Sequence, residues 1–263
     1  MERAKGRAAQ LSKGGLSRRL VAVGVAAAAL LAAGGAAADQ AGEDVLAKVD
    51  SAINRYKTLQ LRYDVLNQEP GKEQNKLEIL ARVKAGGKQL TELLGPADVK
   101  GTKVLILSAS QMYVYLPAFG KVRRVASHVK DQGFLGTTFS QSDMALMRYG
   151  DVYGADLTSD DASTWTITLT PKADASPPYA KIVMVVDKAK GLPQKYDYFN
   201  AGGTNTKTET RSDYKCEGDI CTPGEQKMVD HTKGDHWSKL VLKSYKINPS
   251  LPDDLFSKRT LQE

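Results

Sequence analysis

Two histidines near the C-terminus are the residues whose type and spacing most readily suggest metal chemistry. His231 and His236 lie in the segment Asp-His-Thr-Lys-Gly-Asp-His, and a third histidine, His128, is remote in sequence. A spacing of five residues within a turn that contains Lys and Gly matches neither a helical nor a strand pair of metal ligands. We therefore interpret this segment as a solvated hairpin turn, and we expect no metal and no cofactor.

Paired carboxylates are the other groups that could do chemistry, by general acid–base catalysis. The pairs Asp160-Asp161 and Asp253-Asp254 both lie in turn-like contexts, which are typical of solvated surface. The sequence has no G-x-S-x-G nucleophile motif, no H-E-x-x-H motif and no phosphate-binding loop. We therefore expect that the protein is not an enzyme, although carboxylates from distant strands could converge in the fold.

The two cysteines, Cys216 and Cys221, bracket the tetrapeptide Glu-Gly-Asp-Ile. In an oxidising compartment this spacing predicts a disulfide bond at the tip of a hairpin, with Gly218 in the turn. A redox role would favour C-x-x-C, and a metal site would need more ligands. We therefore expect a structural bond.

A dense basic cluster is formed by Lys121, Arg123 and Arg124 around Val122. Such a cluster could dock an acidic partner or a lipid headgroup. A run of this kind is also typical of the exposed side of an edge strand, where charge prevents pairing with another chain. The second interpretation is the more common one, and the first stays open.

An apolar segment, Phe134–Tyr149, interrupts the rhythm of the chain. Ser140, with Asp143 three residues later, predicts a helix N-cap that would put Met144 and Met147 on one side of a short helix. With Gly133 and Gly136 as hinges, this segment could be a lid over an apolar cavity, in which flexible methionines adapt to a ligand. It could equally be a helix that caps one end of an ordinary core.

The elements that must position these residues are mostly short strands. A helix is predicted over Asp44–Lys57 from the spacing of its apolar residues. Period-two alternation and β-rich composition predict a long series of strands separated by Gly, Pro, Asn and Asp. This series indicates one large antiparallel sheet in an α+β fold rather than βαβ units. The predicted strands run through Leu59–Val65, Leu77–Val83, Val104–Leu107, Met112–Leu116, Val122–Ala126, Trp165–Leu169, Ile182–Val186, Tyr196–Phe199, Thr204–Tyr214 and Leu240–Ile247.

The N-terminal segment predicts export. Residues 1–19 are basic, Leu20–Ala33 is an uncharged run of mostly Ala, Val and Leu, and Gly34–Ala38 contains only small residues. These three features are those of a cleaved signal peptide, so we expect residues 1–38 to be removed near Ala38. A membrane anchor is the alternative, but the uncharged stretch barely reaches the length of a span and is weakly apolar.

Removal of the leader changes the argument from charge. The whole chain carries +7, and six basic residues and one acid give the leader +5, so residues 39–263 carry only +2. The basic character of the full chain therefore gives no reason to expect a nucleic-acid partner. These 225 residues have the length of one domain with a sizeable core, so we expect a single domain over 39–263.

Several short motifs occur in a recognisable order along the chain. Tyr113–Pro117 precedes the basic cluster, and Phe134–Asp143 follows with the sequence Phe-Leu-Gly-Thr-Thr-Phe-Ser-Gln-Ser-Asp. Leu192-Pro193 then precedes a Lys-Tyr-Asp-Tyr strand, and the chain ends with the tail Leu251–Leu261. In this order the motifs resemble those of the LolA-like outer membrane lipoprotein-sorting protein family of Gram-negative bacteria, from about Asp44 to the end. Thr138 departs from the family, which often has Asp there.

The resemblance implies a strongly curved, unclosed antiparallel sheet, a half barrel, with helices across its concave face and space between them for acyl chains. It implies a periplasmic carrier of lipoproteins or other lipids toward the outer membrane, with an inner-membrane donor complex and an outer-membrane acceptor as partners. We expect such a carrier to be a monomer. A non-transporting envelope protein that uses the same fold to bind a protein partner is the alternative. The candidate ligand-binding residues of the cavity and lid are Tyr113, Tyr115, Phe134, Leu135, Phe139, Met144, Met147 and Trp165.

Overall fold

The described residues form one large antiparallel sheet with two α-helices on one of its faces. The computed structural model describes residues 39–108, 110–126 and 133–262; the expected signal peptide, residues 1–38, and His128 lie outside these ranges. The helices are α1 (Gln40–Ile53) and α2 (Gln141–Ala145). The strands are β1 (Thr58–Gln68), β2 (Asn75–Lys84), β3 (Lys88–Gly95), β4 (Lys103–Ser108), β5 (Gln111–Leu116), β6 (Lys121–Arg124), β7 (Tyr153–Asp160), β8 (Thr164–Pro171), β9 (Lys181–Asp187), β10 (Leu192–Phe199), β11 (Asn205–Ser212), β12 (Lys215–Glu217), β13 (Ile220–Thr222), β14 (Glu225–Asp230) and β15 (His236–Ile247).

Thirteen of these strands form the sheet, in the order β6-β5-β4-β3-β2-β1-β15-β14-β11-β10-β9-β8-β7. The first and last strands, β1 and β15, pair in the middle, with Leu61 opposite Tyr245. In the described part of the chain β6 and β7 do not pair with each other, so the sheet is unclosed. The expectation of a large unclosed antiparallel sheet is confirmed.

The helix α1 covers the edge strand β7. Asp39 caps the helix by accepting from Gly42 N–H, and the same carboxylate accepts from Leu157 N–H at 3.1 Å. Glu43 accepts from Ala155 N–H at 3.0 Å. These two carboxylates satisfy donors that an edge strand would otherwise leave free for another chain. A Cβ on Gly42 would lie 2.4 Å from the Ala155 carbonyl oxygen, so this close packing requires glycine.

The predicted boundaries of this helix were wrong. The helix begins at Gln40 and ends at Ile53, whereas the apolar spacing predicted Asp44–Lys57. The cap at Asp39 fixes the earlier start. Tyr56, which lies within the predicted range, follows the helix and packs with β1 and β2.

The two faces of the sheet have separate cores. We call the face that carries α1 and α2 the inner face and the opposite one the outer face. On the inner face, α1 packs on β7 to β10, while β1, β2 and β15 form a second cluster beside it. On the outer face, Leu90 and Leu105 pack against Phe256 and Leu261 of the C-terminal tail. The tail therefore covers the outer side of β3 to β5.

The predicted disulfide bond is present. Cys216 and Cys221 are joined, and they lie opposite each other in the two-stranded hairpin of β12 and β13. Gly218 occupies the turn with φ +59°, a conformation that favours glycine. The hairpin lies close to the inner face, because Cys221 and Thr222 line the cavity described below.

The two histidines that suggested metal chemistry have different surroundings. His231 lies in the turn between β14 and β15, is exposed, and its Nδ1 is 2.7 Å from Asp235. His236 is the first residue of β15 and is buried, with Nε2 2.8 Å from Oδ1 of Asn67. The prediction of a solvated turn therefore holds for His231 and is wrong for His236, because the strand begins at that residue.

The burial of His236 predicts a pH-dependent stability. Burial lowers the pKa of the His236 imidazole below its ordinary value of 6.5. As pH falls below 6.5, the unfolded chain takes up a proton that the folded chain resists, so the free energy of unfolding should fall. Urea melts at about pH 7.5 and about pH 5.5 measure this loss. His236→Gln should reduce the loss. An equal pH dependence in the wild type and in His236→Gln would contradict the assignment.

Candidate functional site

An apolar cavity of about 260 Å³ lies on the inner face of the sheet. Its floor is made by alternate residues of β1 and β2, which face the same side because successive side chains in a strand point to opposite faces. The pairing of Leu61 with Ala81 and of Tyr63 with Ile79 brings the two rows together. The floor residues on β1 and β2 are Leu59, Leu61, Tyr63, Val65, Leu77, Ile79, Ala81 and Val83, and Leu240 on β15 extends the floor beside Val65.

The cavity is covered by residues 133–149, which we call the cover segment. Its first turn is closed by the Phe134 N–H, which donates to the Phe139 carbonyl at 2.9 Å. Ser140 and Asp143 then form a reciprocal capping box at the start of α2: Ser140 Oγ accepts from Asp143 N–H, and Asp143 accepts from Ser140 N–H. The N-cap predicted from the sequence is confirmed. The helix ends at Ala145, so the expectation that Met144 and Met147 share its face was wrong.

The beginning of the cover segment is fastened to the sheet by buried hydrogen bonds. Thr138 N–H donates to Ser238 Oγ at 2.9 Å, and Thr138 Oγ donates to the Met228 carbonyl at 3.0 Å. Asp143 accepts from Lys207 Nζ at 3.0 Å and from the Tyr179 hydroxyl at 2.5 Å. Burial, and then the Asp143 charge, raise the pKa of Tyr179, which therefore stays protonated and donates.

The end of the cover segment is fastened to α1. Both carboxylate oxygens of Asp50 accept main-chain N–H groups, those of Tyr149 at 2.9 Å and Gly150 at 2.8 Å. Asn54 donates to the Met147 carbonyl at 2.8 Å. Burial raises the pKa of the Asp50 carboxyl despite these two donors. The segment is thus held at both ends and crosses the cavity between them.

One end of the cavity is polar. Arg211 and Glu209 on β11 form an ion pair, with Arg211 Nε 2.6 Å from Glu209 Oε1, and their side chains are only 18% and 3% exposed. The Tyr198 hydroxyl donates to Glu209 Oε2 at 2.6 Å. The guanidinium lies 4.6 Å from the ring centroid of Tyr196. Burial by itself lowers the pKa of Arg211, but Glu209 and the neighbouring tyrosines together outweigh burial, and the pKa is raised well above its ordinary value. The guanidinium is therefore charged and fixed in position.

The tyrosines around this polar end are uncharged. Burial raises the pKa of Tyr149 to about 12, and it raises the pKa of Tyr198 well above its ordinary value. Tyr149 stacks on Tyr196 with ring centroids 5.7 Å apart. The rings of Tyr149 and Tyr198 line this end of the cavity and give it apolar walls, and their hydroxyls are hydrogen-bonding groups without charge.

Four of the candidate residues from the cover segment line the cavity, and the other candidates lie elsewhere. Phe134, Phe139, Met144 and Met147 line it, whereas Leu135, which has φ +48°, does not. Whether these residues bind a ligand stays a prediction.

The candidate aromatic residues of the strands lie away from the cavity. Tyr113 and Tyr115 pack on the outer face with the C-terminal tail, and Lys258 Nζ lies 5.3 Å from the Tyr113 ring. Strand alternation explains this, because Met112 and Val114 take the inner face. Trp165 packs beside α1, where Lys48 Nζ lies 4.8 Å from its ring. These three aromatic residues are therefore not part of the cavity wall.

The basic cluster lies on β6, an edge strand, as the sequence indicated. Lys121, Arg123 and Arg124 are exposed. Arg124 donates to the Ser110 carbonyl at 2.9 Å, and Arg123 lies 5.8 Å from the ring of Phe119, which is 63% exposed. Its docking role stays a prediction.

Sequence reasoning missed the floor and the polar end. The alternation that predicted β1 and β2 also gives the residues that share a face, but it does not say which face lies under the cover segment. Glu209 and Arg211 lie two residues apart in a predicted strand, which places them on one face. That spacing was the available signal, because two opposite charges on one face of a central strand are expected to pair with each other.

None of the helices in the described ranges is both long enough and apolar enough to cross a membrane.

No curated protein matches the chain in sequence. A family model whose description reads "-like: Uncharacterized protein" matches residues 86–263.

Solved structures with the same fold come from several bacteria. An outer membrane lipoprotein-sorting protein domain, so described, from Vibrio parahaemolyticus is 21% identical with a TM-score of 0.76, and the match covers 85% of this chain and 99% of that one. A DUF1329 family protein from Desulfovibrio piger is 22% identical with a TM-score of 0.77, over 84% and 98% of the two chains. A LolA superfamily protein from Nitrosomonas europaea is 20% identical with a TM-score of 0.69, over 83% and 98%.

The matches agree with the resemblance that we inferred from the sequence motifs. The family model covers more than half of the chain, and the solved structures cover nearly all of the described residues. The chain therefore belongs to the family of that model, and it has the LolA-like fold of the outer membrane lipoprotein-sorting proteins.

Proposed function

We propose that the protein is a periplasmic carrier that binds the acyl chains of lipoproteins or other lipids in the cavity of the inner face and shuttles them toward the outer membrane. The observation that carries this proposal is the cavity itself, which has an apolar floor on β1 and β2 and an apolar cover that includes Phe139 and Met147. The structural neighbours that are described as lipoprotein-sorting and LolA superfamily proteins support the same role.

The energetics suit a carrier. Each buried methylene contributes about 0.8 kcal/mol, so about ten methylenes give roughly micromolar binding before ordering costs reduce it. A carrier must also release its cargo, and this affinity permits release. The role requires binding and needs no catalytic group.

A competition experiment tests the proposal. A fluorescent fatty-acyl probe is titrated into the protein after removal of bound lipid, and two versions of one peptide, with and without a diacylglyceryl group, are added as competitors. Displacement of the probe by the acylated peptide alone supports the carrier. Probe binding that neither peptide affects would contradict lipoprotein cargo, and equal binding of both peptides would favour a protein-binding role.

We further propose that the protein is exported and that cleavage after Ala38 leaves a single domain, residues 39–263. In the structure the main-chain nitrogen of Asp39 lies 3.1 Å from Asp156 Oδ1. Cleavage would make that nitrogen an ammonium group beside a carboxylate, which is a favourable pair. N-terminal sequencing of protein from the cell envelope should begin at Asp39, and an intact Met1 in the membrane fraction would contradict export by cleavage.

A further inference from the structure

The polar end of the cavity has hydrogen-bond donors that the protein does not use. Among the described residues, the hydrogen bond given to the Arg211 side chain is that of its Nε to Glu209. The terminal guanidinium nitrogens carry four further N–H donors, and the residue lines the cavity. Both oxygens of Glu209 already have donors, from Arg211 and Tyr198.

The charges at this end are balanced. Arg211 is paired with Glu209, and the other cavity carboxylate, Asp143, is paired with Lys207. The tyrosines are uncharged. A full negative charge in the cavity would therefore be desolvated without a net positive charge to meet it, and it would lie close to Glu209. A neutral acceptor oxygen takes the guanidinium donors without that cost.

The geometry points to a built subsite: we propose that Arg211 binds the carbonyl oxygen of an acyl ester or amide, while the attached chain lies over the floor of β1 and β2. This inference rests on the proposed function, because it concerns the head of the same acyl ligand. It names the substrate class, an acyl chain joined through a neutral ester or amide. Stacking on Tyr196 and the bond to Glu209 hold the guanidinium in place, so little ordering is needed on binding.

Three ligands of one chain length test the subsite: a monoacylglycerol, the corresponding alkylglycerol ether, and the free fatty acid. The ether lacks only the carbonyl oxygen of the ester. Wild-type protein should bind the ester about tenfold more tightly than the ether, as expected for one hydrogen bond to a charged donor. The fatty acid at pH 7 should bind less tightly than the ester.

The matched variant is Glu209→Gln combined with Arg211→Met, which removes the ion pair without leaving a buried charge unpaired. It should bind ester and ether equally, while its affinity for the ether stays near that of the wild type. As the control, Glu92→Gln with Arg82→Met removes a partly buried ion pair on the outer face of β2 and β3 and should keep the preference for the ester.

The outcomes separate this inference from the proposed function. Equal binding of ester and ether by the wild type overturns the subsite and leaves the carrier role standing. Tighter binding of the fatty acid overturns it in favour of an anion site. Failure of all three ligands to bind contradicts the carrier role itself. If the Glu209/Arg211 variant does not fold, the ratio of ester to ether in the wild type still decides.

Discussion

Replacing Ala81 by phenylalanine should weaken the binding of an acyl probe at least tenfold. Ala81 lies in the middle of the cavity floor, 5% exposed, between Leu61 on β1 and Thr91 on β3. A ring at this position would occupy the space of the ligand. Exclusion of two methylenes costs about 1.6 kcal/mol, which is more than a tenfold loss of affinity.

The neighbouring Leu80→Phe variant is the control, because Leu80 points to the other face of β2. It should bind the probe like the wild type. Denaturant melts accompany both titrations, since overpacking a filled core would cost about 1–3 kcal/mol of stability. Ala81→Phe protein that is folded and binds the probe with unchanged affinity would show that acyl chains bind elsewhere.

Phe139→Ala and Met147→Ala should each weaken probe binding about tenfold, yet lower the free energy of unfolding by only about 1–2 kcal/mol. Both side chains line the cavity, where they lack some of the contacts that a packed core supplies. Truncation of a fully packed phenylalanine would cost about 3–5 kcal/mol. The ligand, in contrast, would lose part of its wall.

Leu135→Ala is the matched control in the same cover segment, because Leu135 does not line the cavity. Probe titration and denaturant melts are done on all three variants. If Phe139→Ala and Met147→Ala lose much stability while affinity per folded molecule is unchanged, the cover segment is an ordinary core element and not a wall of the binding site.

The sequence predicted most of the sheet because the inner-face strands alternate cleanly. The row Leu59, Leu61, Tyr63 and Val65 identifies β1 and also gives the residues that form the cavity floor. The strand β3 was missed, because Leu90, Leu93 and Leu94 have the spacing of a helical face. Leu90 packs against the C-terminal tail on the outer face, whereas Leu93 is buried on the inner face, so apolar residues on both faces of β3 hide its alternation.

The candidate site was predicted only in part, for reasons of three-dimensional placement. The cover segment stood out because apolar residues lie on both sides of a helix cap at Ser140. The polar end depends on β11 lying beside β14 and β10, an arrangement that the order of strands in the chain does not give. Tyr113 and Tyr115 were chosen as aromatic residues of a strand, but the C-terminal tail covers their face.

The central claim is that the cavity holds an acyl chain in the cell. Native mass spectrometry of protein purified from its own periplasm, measured before and after extraction with organic solvent, tests this claim most directly. We expect a mass excess equal to one lipid or lipid-modified peptide, which extraction removes and which the Ala81→Phe variant lacks. A native mass equal to that of the polypeptide alone, or to that of the polypeptide with a protein partner and no lipid, would contradict it.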